Sequence, residues 1–222
     1  MAWFIPFSRF FSSSVRSAVA VALLPVWLTG CALLQEPSAP DAQPGPASAE
    51  ALRRFHPAID IAGRLSVRYQ QNGAEQSVHG SFTWAQSPDR STVTLLSPLG
   101  QIMAMITVTP GASTLIMGGK TRTATDVDTL AEEALGWPLP VAGLRDWLQG
   151  FALDSQGRRF IAAPPASSSL TTLDGWRLTY AAWRDELDSS PKNAPRRIDL
   201  ARGTAQAGNV EIRIVVDDWQ PR

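Results

Sequence analysis

The chain has 222 residues, 44% hydrophobic and 18% charged, with 20 basic and 20 acidic side chains. That balance excludes a disordered chain, and basic residues interspersed with acids exclude a duplex-binding stripe. Cys31 is the one cysteine, so no disulfide can form and the thiol is a modification site or nothing.

Residues 1–30 read as an export signal. Arg9 and Arg16 mark a positive leading region, and Ser17 to Leu28 is an uncharged apolar run, interrupted by Pro25. Its length is about half of what a spanning helix needs. It ends in Leu28-Thr29-Gly30-Cys31, which resembles the lipobox of bacterial lipoproteins. Small residues let an extended backbone enter a protease cleft, and the thiol takes a diacylglyceryl group. Cleavage before Cys31 then exposes an amino terminus for N-acylation. Two lipid chains already anchor stably, so three attach essentially for good. This covalent lipid is the one prosthetic group expected. Such signals retain a protein in the inner membrane when aspartate follows the cysteine; here Ala32 follows, which implies the outer membrane, facing the periplasm. The mature chain has 18 basic and 20 acidic side chains, a net charge of −2.

Residues 31–50 form a lipidated tether, rich in Pro, Ala and small polar residues from Gln35 to Ala49. At about 3.1 Å per residue it places the domain roughly 55 Å from the bilayer. The domain, residues 51–222, opens on a short helix predicted over 48–55, with Ser48 as N-cap and Pro57 as its stop. Alternation then takes over. Ile61, Gly63, Leu65, Val67 and Tyr69 share one face of a strand, Asn72-Gly73 marks a hairpin, and Val78, Gly80, Phe82 and Trp84 line the return. Val93 to Leu96, Ile102 to Val108 and Leu115 to Met117 continue the series. Strict alternation puts Ile102, Ala104, Ile106 and Val108 on one face, Met103 and Met105 on the other.

Asp126 caps a predicted helix through Leu135, stopped by Gly136 and Pro138; Val141 to Leu148 is a second, closed by Gly150. Strands resume at Trp176 to Trp183, Ile198 to Leu200 and Val210 to Val216. Hairpin-length connectors without βαβ spacing predict a β-rich α+β domain, an antiparallel sheet with helices on one side. The tract from Ala163-Pro164-Pro165 to Ser169 reads as a loose surface loop.

Six tryptophans remain in the mature chain: Trp84, Trp137, Trp147, Trp176, Trp183 and Trp219. They fill a solid core or line a lumen able to hold lipid chains; packed and hollow interiors share this composition. Ser97-Pro98-Leu99-Gly100 has the preferences of a type I turn. Its Leu99 is either exposed at the tip or folded back on the core, and the residues leave both open. Nothing points to catalysis: there is no Gly-x-Ser-x-Gly, and two histidines with one acylated cysteine make no standard zinc site. Gly118-Gly119-Lys120-Thr121 reads as a hairpin turn. Asp217-Asp218 and Glu132-Glu133 read as solvated charge.

Taken in order, Gly63-Arg64-Leu65, Phe82-Thr83-Trp84, Leu95 to Gly100, Gly136-Trp137-Pro138-Leu139-Pro140, Leu144 to Gly150, Asp174-Gly175-Trp176 and Asp218-Trp219 resemble the LolB family of outer-membrane lipoproteins. The resemblance runs from about residue 63 to 219. It implies an open, unclosed antiparallel β-barrel of about eleven strands with a few helices covering a cavity for acyl chains. It implies a monomer that accepts lipoprotein cargo from a LolA-like periplasmic carrier and inserts it into the inner leaflet of the outer membrane. The turn Ser97, Pro98, Leu99 and Gly100 maps onto that family's membrane-contact loop. By position and size, Phe82, Trp84, Ile106, Trp147 and Trp176 are the cavity candidates. No catalytic residue, metal or nucleic acid is expected. A structural or assembly lipoprotein with a solid core is the alternative.

Overall fold

In a computed structural model, which describes residues 53–164, 167–184 and 193–222, the alternating segments form a ten-stranded antiparallel sheet. The first six strands are β1 (Ile59–Gln71), β2 (Ala74–Ser87), β3 (Arg90–Leu96), β4 (Ile102–Thr109), β5 (Ala112–Met117) and β6 (Lys120–Ala124). Two helices follow, α1 (Val127–Leu135) and α2 (Val141–Trp147). Then come β7 (Phe151–Leu153), β8 (Arg159–Ile161), β9 (Ser168–Thr171), β10 (Arg177–Trp183), β11 (Pro195–Thr204) and β12 (Gly208–Pro221). The order across the sheet is β6-β5-β4-β3-β2-β1-β12-β11-β10-β9, while β7 and β8 pair only with each other. Its two ends, β6 and β9, do not pair, so the wall stays unclosed, as expected. The main sheet has ten strands because the chain after α2 spends two short ones on a hairpin of their own.

The inward residues Ile59, Ile61, Leu65, Val67 and Tyr69 of β1 are buried, as are Val210, Ile212, Ile214 and Val216 of β12. Their outward neighbours Arg64 and Arg68 pair with Asp217 and Glu211. Gly63 occupies an inward position beside a bulge in β12, where Asp217 is the extra residue. A Cβ there would come within 2.3 Å of the Val215 carbonyl oxygen and 2.8 Å of the Phe82 ring, so only glycine fits. Asn72 and Gly73 take the left-handed conformation of a two-residue hairpin turn, with φ of 53° and 76°.

The Asp126 carboxylate accepts the Thr129 amide at 2.6 Å, capping α1. Gly136, at φ 80°, ends the helix by donating its amide to the Glu132 carbonyl. The connector Trp137 to Pro140 is buried and carries the chain into α2.

Several expectations need correction. Of the helix predicted over 48–55, residues 48–52 lie outside the described residues and Arg53 to Phe55 are not helical. Arg53 is held instead by three distant backbone carbonyls. β6 was not expected, because Lys-Thr-Arg-Thr-Ala shows no apolar alternation and is almost wholly exposed. Strict alternation fails in β4. Leu95 pairs with Ala104 but Leu96 with Ile102, which leaves Met103 as the extra residue of a bulge. The bulge turns Met103 toward the concave side, whereas Ile102 is 63% exposed. The predicted loop 163–169 is shorter than expected: Ser168 and Ser169 begin β9, and the Ser169 hydroxyl hydrogen-bonds that of Thr179 at 3.0 Å. The export signal, Cys31 and the tether lie outside the described residues.

Candidate functional site

Over the middle of its concave face the sheet meets the helices through apolar side chains. Phe82, Trp84 and Val93 face Leu139, Leu144 and Leu148, and only about 20 Å³ stays empty between them. That is room for about one water molecule, so this part of the interior is filled. Toward the turn between β3 and β4 the packing loosens. A cavity of about 200 Å³ opens there, walled by Leu96, Met103, Met117, Leu135 and Trp137, with Tyr69 and Val78. Leu65 and Leu95 line both spaces, so the two form one apolar track. Ligand pockets for small molecules hold about 300–1,000 Å³. At about 200 Å³ the open part of the track falls below that range, so a larger occupant would need the helices to lift.

Polar ties hold those helices down. The Asp128 carboxylate in the first turn of α1 accepts the Ala142 amide at the start of α2, at 3.0 Å. Burial pushes this carboxyl up to about 6; the Ala142 amide opposes the shift, and Asp126 and Asp174 add to it. The Arg145 guanidinium of α2 donates to the Ser91 hydroxyl at 3.0 Å and the Ser87 carbonyl at 3.2 Å, tying α2 to the sheet. The Tyr180 hydroxyl donates to the Trp147 carbonyl at 3.2 Å. Gln149 joins α2 to the entering chain, accepting the His56 amide and donating to its carbonyl.

The turn Ser97 to Gly100 forms as its residues require. Gly100 donates its amide to the Ser97 carbonyl at 2.9 Å, and Gln101 donates its amide to the Ser97 hydroxyl at 3.2 Å. Leu99 stands at the tip, 87% exposed, with Pro98 and Gly100 also in solvent. The turn therefore does not fold back on the core.

Of the five cavity candidates, the structure brings Phe82 and Trp84 together at the filled end of the track. Ile106, Trp147 and Trp176 are buried but line neither apolar space. The Trp147 ring lies against Gly143 of its own helix, where a Cβ would come within 2.3 Å of it, and Arg202 sits 5.8 Å from the Trp176 ring. The walls of the open cavity come instead from Leu65, Leu95, Met103, Met117, Leu135 and Trp137. Trp137 carried a signal, lying in the buried Gly-Trp-Pro-Leu-Pro stretch; Met103 needed the bulge.

A larger hollow of about 460 Å³ lies on the opposite face of the sheet. Its walls hold Arg68, Glu211, Asp199 and Arg213, already paired as Arg68 with Glu211 and Arg213 with Asp199. Size alone would favour it, but charged walls exclude hydrocarbon. His79 points the same way and shares a 2.7 Å hydrogen bond with Ser77. Among the described residues no group of three or more His, Cys, Asp or Glu is placed to hold a metal ion.

Comparison with known proteins matches residues 57–219 to the family described as Outer membrane lipoprotein LolB. The outer-membrane lipoprotein LolB of Cupriavidus taiwanensis is 42% identical over 164 residues, covering 72% of this chain and 79% of that protein. That of Cupriavidus pinatubonensis is 38% identical over 209 residues, covering 92% and 95%. That of Marinobacter nauticus is 30% identical over 214 residues, covering 93% and 98%. Among solved structures, a LolA superfamily protein from Nitrosomonas europaea is similar with a TM-score of 0.42 and 9% identity, covering 78% of this chain and 90% of that one, a likeness too remote to bear on function.

Proposed function

The chain belongs to the LolB family of outer-membrane lipoproteins, and on that premise we propose that it receives acylated lipoproteins from a LolA-like periplasmic carrier and inserts them into the outer membrane. The observation that carries this reading is the apolar track under α1 and α2, which loosens toward the turn bearing the exposed Leu99. Acyl chains cannot cross an aqueous compartment unshielded, since each methylene exposed to water costs about 0.8 kcal/mol. A receptor with apolar walls offers them cover, and transfer without an energy source runs downhill from carrier to receptor to bilayer. No bond is made or broken. In this reading Cys31 carries the S-diacylglyceryl and N-acyl groups, the tether gives reach, and the monomeric domain faces the periplasm. Burying Leu99 in the membrane interface returns about 1.5–3 kcal/mol, enough to bias contact without locking the domain down.

The test is transfer. A soluble Cys31→Ala form should take an acylated lipoprotein from its carrier and bind a fluorescent fatty acid. Failure of both would remove the reading. One observation favours a second: the 20 Å³ left around Trp84 fits a structural lipoprotein with a solid core. Such a protein would bind no fatty acid, so the same measurement separates the two.

A further inference from the structure

The end of the sheet that carries Leu99 carries a second turn. Residues Leu95, Ala104, Met117 and Lys120 lie side by side across β3, β4, β5 and β6. Just beyond this line, the turn around Leu99 joins β3 to β4 and Gly118-Gly119 joins β5 to β6. From Ser91 to Thr125 the only charged side chains are Lys120 and Arg122, and no acid occurs. Both are exposed, and neither makes an ion pair or side-chain hydrogen bond with a described residue. Six large apolar side chains are exposed among the described residues; four of them are in this region, Leu99 at 87%, Ile102 at 63%, Ile116 at 44% and Met103 at 41%.

We propose that the β5–β6 hairpin is a second membrane contact, with Lys120 and Arg122 binding the phosphates of anionic phospholipids while Ile102 and Ile116 enter the interface beside Leu99. Charge complementarity selects this occupant. Two unpaired cations at an acid-free, partly apolar rim suit a negatively charged bilayer surface. The contact also gives Leu99 a direction. One leucine at a turn allows the domain to pivot; two turns on one line fix the end of the sheet against the bilayer. Leu96, Met103 and Met117, which wall the open cavity, lie at that same end, and Met103 reaches both the cavity and solvent. The cavity would therefore face the bilayer. This orientation rests on the receptor reading; the lipid contact can be measured without it.

Binding of the full mature chain carrying Cys31→Ala is measured on vesicles of phosphatidylcholine, with and without phosphatidylglycerol. The double variant Lys120→Gln, Arg122→Gln should bind phosphatidylglycerol vesicles about 30-fold more weakly, the factor expected for two basic residues at about 1 kcal/mol each. The difference should vanish on pure phosphatidylcholine and shrink at high salt. Ile116→Ser should weaken binding to both vesicle types roughly tenfold. Leu173→Ser and Arg177→Gln, exposed positions near the far edge of the sheet, should change nothing. The proposal is overturned if the double variant binds phosphatidylglycerol vesicles like its parent, or if the far-edge variants lose as much. Cargo acceptance from the carrier, followed in the same proteins, keeps the two readings apart. A parent that binds anionic vesicles but takes no cargo preserves the contact and removes the receptor reading. A parent that takes cargo, with the double variant unchanged on vesicles, does the reverse.

Discussion

The Asp128 carboxylate accepts the Ala142 amide at 3.0 Å, so the first turn of one covering helix caps the start of the next. This bond couples the two helices, so lifting one would move both.

Asp128 should make stability depend on pH. Its carboxyl is pushed up to about 6 from the usual 3.8, chiefly by burial. Below about pH 4 it is protonated whether the chain is folded or not, and folding carries no penalty from it. Between about pH 4 and 6 the unfolded chain ionises while the folded carboxyl stays protonated, so stability falls across that window and levels off above it, where the folded protein holds a half-buried charge. Asp128→Asn keeps an oxygen for the Ala142 amide and removes the charge. It should be about 1–2 kcal/mol more stable than the parent at pH 7 and indistinguishable near pH 4. Urea unfolding at the two pH values decides it; an equal gap at both would sink the argument.

Arg53 should behave as a clamp that lysine cannot replace. Its guanidinium donates to the carbonyls of Ala162, Gln149 and Asn193 at 3.0, 3.0 and 2.7 Å and lies 5.0 Å from the Trp183 ring. Burial lowers its pKa to about 10, still charged at neutral pH. A lysine ammonium cannot span three carbonyls held in a planar fork. Both Arg53→Ala and Arg53→Lys should cost about 2–4 kcal/mol. A lysine variant as stable as the parent in thermal unfolding would show that charge alone matters.

Leu99→Glu should separate loading from delivery. The side chain is 87% exposed and takes no part in the cavity walls, so fatty-acid binding and cargo pickup should stay near parental values. Delivery into liposomes should fall at least tenfold, as expected from losing about 1.5–3 kcal/mol of interfacial burial. Equal loss of pickup and delivery would make the turn structural.

Filling the cavity should do the opposite. Ala134, on α1, is half-buried and lines the 200 Å³ space. Ala134→Phe should occupy that space and weaken fluorescent fatty-acid binding about tenfold, while vesicle contact through Leu99 persists. Unchanged fatty-acid affinity would place the acyl site elsewhere.

The sheet was legible because its signal is local. Ile61, Leu65 and Val67 face the core by simple alternation, and Asn72-Gly73 specifies its own turn. Asp126 and Gly136 likewise mark the ends of α1 with their own chemistry. The cavity wall was legible only in part, because it is a relationship between elements. Met103 faces inward through a bulge set by how two strands register, which neither strand reveals alone. Trp137 and Trp147 are equal in size and hydrophobicity. One lines the open cavity and the other packs on Gly143, a difference settled by where each falls relative to α1 and α2. β6 carries no such signal, because an edge strand with both faces wet needs no apolar period.

The unjoined margins at β6 and β9 have a mechanical consequence. A sealed cylinder could widen only by rupturing a rung of its ladder, at about 0.5–1.5 kcal/mol net for each bond lost. An open gutter can uncurl by small changes in twist spread along many strands, keeping every rung intact. Any widening of the trough is in this architecture a matter of bending stiffness rather than of unzipping.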